Sequence, residues 1–121
     1  MKLKYETRTY GENHAGTAGW TVFATAAKTR AGIESAMLKH AKDAYSRHLS
    51  MIERGFIEPC GIWEFHSYAP VSCGVLRYFV WIEDGAPFET ARIVSWQPSD
   101  GDRAWTKAAE TKERTFASLL S

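Results

Sequence analysis

The sequence carries almost no net charge: fifteen Lys and Arg against fourteen Asp and Glu leave +1 at pH 7. So weak a field does not draw nucleic acid or an anionic membrane to the molecule from a distance. Long apolar runs are missing, and nothing approaches the roughly 18 consecutive apolar residues of a membrane span. The opening stretch MKLKYETRTY has charges but no apolar core of a secretory signal. Cysteine is scarce: Cys60 and Cys73 read as free thiols in a cytoplasmic protein, not as a disulfide framework. Cys-x-x-Cys, His-Glu-x-x-His and Gly-x-Ser-x-Gly are all absent. No zinc site, other metal site, cofactor or familiar hydrolase site is therefore expected. The stretch GENHAGTAG, residues 11–19, lacks the Lys-Ser/Thr of a phosphate-binding loop. It reads as the tip of a long hairpin.

The 121 residues, 45% of them hydrophobic, suffice for one core and read as a single domain, 1–121. Charge is unevenly spread. Residues 1–54 hold nine basic and five acidic side chains, a balance of +4; residues 55–121 hold six and nine, a balance of −3. The basic half offers a secondary surface at Lys39, Lys42 and Arg47, although charge on a helix is more simply read as a solvated face.

Strand-type alternation runs over residues 2–10, with Leu3, Tyr5 and Thr7 on one side and Lys2, Lys4, Glu6 and Arg8 on the other. Residues 20–26 read as a second strand, with Trp20, Val22 and Ala24 sharing a face. Thr29 is placed to cap a helix reaching about Arg54, with Ile33, Met37, Ala41, Ala44, His48 and Ile52 as its apolar stripe. Arg54-Gly55 is a stop signal. Three more strands are expected over 60–68, 75–83 and 88–97, joined by turns near Pro70-Val71 and at Asp84-Gly85. A last helix follows from about Ser99, burying Trp105, Ala108, Ala109, Phe116, Leu119 and Leu120. The expected fold is α+β in the order ββαβββα, an antiparallel sheet of about five strands with two helices on one face. The αβββα part resembles double-stranded-RNA-binding domains in element order, but lacks that family's basic helix start.

The most informative feature lies between Cys60 and Trp96, where both strand faces carry large side chains. A sheet that merely covers a core has a bland polar outer face. Here Glu64, His66, Arg77, Phe79, Trp81, Arg92, Val94 and Trp96 share one, mixing aromatics with arginines as binding surfaces do. The expected turns place Glu64 opposite Arg77 and Arg77 opposite Arg92, a row that calls for an anion or a partner's carboxylate. The alternative is a sheet ion pair with its aromatics tucked under a loop.

Three functions follow. The first is a small non-enzymatic binding protein that docks on a protein or nucleoprotein complex with Arg77, Phe79, Trp81, Arg92, Trp96, Glu64 and His66. Inhibitors of host defence complexes encoded by phages and mobile elements fit this description on general grounds, and would act by steric blocking. The second is a nucleic-acid-binding domain, which the near-neutral charge disfavours. The third is a small enzyme using Glu64 and His66 on an anionic substrate held by Arg77 and Arg92. A homodimer that hides the aromatic face is a further alternative, with no membrane involved.

Overall fold

The computed structural model describes residues 2–11, 14–17, 21–24, 29–58, 61–71, 74–96 and 114–115. Seven strand segments and one α-helix are found there: β1 (Lys2–Gly11), β2 (His14–Thr17), β3 (Thr21–Ala24), α1 (Arg30–Glu53), β4 (Ile62–Val71), β5 (Gly74–Glu83), β6 (Arg92–Trp96) and β7 (Arg114–Thr115). The segments make one sheet, ordered β2-β1-β4-β5-β6-β7, with β3 also paired to β1. All pairings are antiparallel. β2 and β3 lie along the same edge of β1, at Arg8–Gly11 and Lys2–Tyr5 respectively. The sheet is thus six strands wide.

α1 forms where the sequence places it. The Thr29 side chain accepts a hydrogen bond from the Gly32 amide at 3.1 Å, satisfying one of the orphan donors of the first turn. At the other end Gly55 has φ +78. Its amide donates to Ile52 O, and the Phe56 amide donates to Met51 O, the paired bonds of a Schellman cap. Ile33, Met37, Ala41, Ala44 and His48 are buried, together with Leu38 and Tyr45. Their opposite face, Lys39, Lys42, Asp43, Ser46, Arg47 and Ser50, is exposed.

The buried stripe meets the inner face of the sheet, built from alternate residues: Leu3 and Tyr5 of β1, Trp63, Phe65 and Ala69 of β4, Tyr78, Val80 and Ile82 of β5, and Ile93 of β6. Burying each of the larger of these is worth about 1.5–3 kcal/mol, which fixes the parity of every strand. His48 lies in this layer with its Nε2 3.0 Å from Asp84 Oδ1, as a hydrogen-bonded core histidine.

Four expectations are corrected. Residues 11–19 are not simply a loop: His14–Thr17 returns along β1 with Gly11 opposite His14. β4 continues through Pro70 to Val71, which pairs with Gly74, so the chain reverses two residues later than the sequence suggests. Proline is tolerated because the β1 ladder ends at Lys4↔Tyr68, leaving no bond on that side for Pro70 to break. The third strand begins at Arg92, not Phe88, because Phe88–Thr90 is a 3-10 turn that drops Phe88 into the core. A strand stands at Arg114–Thr115, paired to Ile93 and Arg92, where the sequence suggests helix. The order α1-β4-β5-β6 is thus followed by a strand at that point, unlike the double-stranded-RNA-binding pattern. Cys60, Cys73, Trp105, Ala108, Ala109, Phe116, Leu119 and Leu120 lie outside the described residues.

Candidate binding face and cleft

The even shift in both turns preserves parity but changes the rows. Glu64 lies opposite Trp81, and Trp81 opposite Arg92. Arg77 lies between Tyr68 and Trp96. The expected row Glu64–Arg77–Arg92 therefore does not form, and the two arginines stand four positions apart along β5. The like-charge contact is gone, and each guanidinium has an aromatic neighbour instead.

The outer face, away from α1, is a lattice of cross-strand rows. Val22, Lys4, Tyr68, Arg77 and Trp96 form one. Glu6, His66, Phe79 and Val94 form the next, and Arg8, Glu64, Trp81, Arg92 and Thr115 the third. Within the first row the Arg77 guanidinium lies 4.6 Å from the Tyr68 ring centroid, and Lys4 Nζ lies 5.7 Å from the same ring. Within the third, Arg92 lies 6.0 Å from the Trp81 ring. The rings also stack along the strand, Phe79 on Trp81 at 4.8 Å and 20°. Cation–π contacts of this kind are worth about 0.5–1 kcal/mol at exposed sites and more when desolvated.

Glu6 and Glu64 on this face are already engaged. Glu6, 5% exposed, accepts from Arg8 through both Nε, at 2.9 Å, and Nη2. A carboxylate so buried needs such a partner. Glu64 Oε1 lies 2.9 Å from His66 Nε2, and the His66 ring packs at 4.6 Å against Phe79. Arg77 differs. Among the described residues no carboxylate pairs with it, and its Nε is buried with no hydrogen-bond partner.

A cleft of about 230 Å³ opens beside Arg77, lined by Arg8, His66, Ser67, Tyr68, Arg77, Tyr78, Phe79 and Trp96. It brings together four of the seven expected face residues, His66, Arg77, Phe79 and Trp96. Glu64, Trp81 and Arg92 lie on the same face outside it. An acid/base pair working on an anion held by both arginines would need Glu64 and Arg92 in the cleft, and they are not there. Phe79, Trp81 and Trp96 are each half-buried, whereas Val94 is fully buried, so the face is neither sealed nor bare.

Two cleft residues, Arg8 and Tyr68, were not legible as site residues. Their strand parity is legible, but the placement of β1 beside β4 depends on pairing that no local signal encodes. The secondary basic surface is exposed, yet Asp43 stands four residues after Lys39 and four before Arg47, a spacing that puts it between them on one helix face. Arg47 Nη2 also donates to Tyr5 Oη at 3.2 Å. That face is a mixed solvated one.

Among the described residues, no group of three or more His, Cys, Asp or Glu converges as a metal site, and no helix is long and apolar enough to cross a membrane. Comparison with protein-family models, with curated proteins and with solved structures finds no match.

Proposed function

We propose that this is a non-enzymatic binding protein that docks on a protein or nucleoprotein partner through the outer face of its sheet. The observation that carries this reading is the lattice itself. Phe79, Trp81 and Trp96 are half-buried, and arginines lie beside them on a rigid sheet whose other face is spent on the core. Partly exposed aromatics and arginines, held by neighbours that limit their side-chain freedom, are the residues that dominate binding energy at interfaces. The mode of action is occupation: the sheet face blocks the surface it covers. An inhibitor of a host defence complex, of the kind carried by phages and mobile elements, is one form such a steric blocker takes, and it is the form proposed for this protein.

A photo-crosslinking residue introduced at Trp81 tests the reading, with a second one at Ser46 on the exposed side of α1 as the comparison. In lysate of the cells that carry the protein, a discrete partner is expected from position 81. Trp96→Ala should weaken its capture by about 2 kcal/mol or more with the fold intact. Capture from position 46 alone would overturn the assignment of the face.

A further inference from the structure

The cleft beside Arg77 has a chemistry of its own, and the inference drawn from it rests on reading the outer face as the binding surface. We propose that the cleft takes a small organic monoanion: one oxyanion group, carboxylate or phosphodiester, joined to a flat ring. Charge sets the first half of this specification. Of the two arginines lining the cleft, Arg8 is paired with Glu6. Arg77 has no carboxylate partner among the described residues, and a single negative charge answers it.

Hydrogen bonding points the same way. Arg77 Nε is buried with no acceptor, an unfavourable state for a charged donor that an incoming acceptor relieves. The Nε–Nη edge of a guanidinium matches the two oxygens of a carboxylate or phosphate side-on. Turning that edge from its place over Tyr68 toward the cleft gives both donors an acceptor. The ligand thereby supplies what the fold withholds.

The walls set the second half. Arg77 lies between Tyr68 and Trp96 in one row, and Phe79 stands in the neighbouring row. The Tyr68, Phe79 and Trp96 rings line the cleft together with Arg77, an aromatic wall of the kind that accepts a planar body. A bare anion leaves those walls wet, and an uncharged ring leaves Arg77 unanswered. The ligand needs both parts together.

Side-chain NMR of the purified, ¹⁵N-labelled protein reads this directly through the Arg77 Nε–H and Trp96 Nε1–H signals. The probes are benzoate and adenosine 3′,5′-cyclic monophosphate, each a monoanion on a ring. Benzamide and adenosine keep a ring without the charge, and acetate keeps the charge without a ring. Saturable shifts of both signals are expected with at least one ring anion. That anion should bind at least tenfold more tightly than its uncharged counterpart and than acetate. Benzoate or the cyclic nucleotide as the tighter of the two identifies a carboxylate or a phosphate source. Arg77→Gln should lose at least tenfold while the backbone spectrum is kept. Equal binding of benzamide or adenosine, unchanged binding by Arg77→Gln, or no binding of either ring anion at millimolar concentration would each overturn the proposal. The Trp81 crosslink is independent of these probes. A captured partner without anion binding sinks the anion site and leaves the docking face standing. Anion binding without a captured partner does the reverse.

Discussion

At the scale of single residues, burial and hydrogen bonding make opposite demands, and two side chains show which demand wins. Ser67 is 1% exposed on the inner face, between Phe65 and Ala69, and its hydroxyl has no hydrogen-bond partner. A buried hydroxyl without an acceptor costs about 1–3 kcal/mol, and a methyl group in its place costs nothing of that kind. Ser67→Ala should therefore stabilise the protein by about 1 kcal/mol in urea unfolding; a loss of stability would show that the hydroxyl is satisfied. His40 is the second case. Its ring packs 3.8 Å from Phe23 and 5.9 Å from Tyr5. Burial there pushes its pKa below the ordinary 6.5, with Lys39 and Arg47 acting in the same direction and Asp43 opposing them. The unfolded chain then binds this proton more readily than the folded one. His40's contribution to stability is complete above about pH 6.5 and is lost as pH falls from there toward the folded value. Unfolding free energy measured against pH should decline through that window, and His40→Gln should flatten the decline. An unchanged slope in the variant would remove His40 as its cause. Neither effect is legible in the sequence, because each depends on what packs against the residue and not on its neighbours in the chain.

At the scale of elements, local signals are reliable and turn lengths are not. α1 is legible to within a residue or two at both ends because Thr29, Arg54 and Gly55 act through bonds to their own chain neighbours. Strand parity is legible too, since alternation alone decides which side chains reach the core. Register is another matter. The Asp84-Gly85 turn is where the sequence puts it, with Ala86 N bonded to Glu83 O at 3.0 Å and Gly85 at φ +88. The strands do not close directly on it, because Phe88 is pulled into the core and needs the extra 3-10 turn. The same turn is clamped from the helix. Tyr45 Oη donates to Ala86 O at 2.8 Å and accepts from Gly85 N at 3.0 Å, while His48 holds Asp84. These contacts join positions some 40 residues apart, which is why the sequence alone misplaces Arg77 opposite Arg92. Tyr45→Phe keeps the ring and removes both bonds of the hydroxyl. Because Ala86 is only half-buried and Gly85 exposed, water recovers part of the loss, and the cost should be about 1–2 kcal/mol. Amide exchange should rise at Gly85 and Ala86 ahead of the rest of β5. Uniformly faster exchange across the sheet would mean that the turn is not a separately clamped unit.

At the scale of the whole molecule the question is what the outer face is used for. Its aromatics Phe79, Trp81 and Trp96 are only partly covered, and a second copy or a different partner would each complete the cover. The lattice favours the different partner. A two-fold contact through this face would gather Arg77 and Arg92 of both copies in one interface, while Glu6 and Glu64 are already engaged with Arg8 and His66 and Glu83 stands at the far end of β5. Like charges brought together in this way oppose self-association. Light scattering should accordingly give the 13.6 kDa monomer. Acrylamide should quench part of the tryptophan fluorescence of the same sample, since Trp81 and Trp96 are half-buried whereas Trp63 is 1% exposed. Trp81→Phe and Trp96→Phe should each remove a share of the quenchable component, which separates their signals from those of Trp20 and Trp105. A dimer in which neither substitution changes the quenching would mean that the aromatic face is closed by the protein itself. The working surface would then move to the exposed side of α1, which carries Lys39, Lys42 and Arg47.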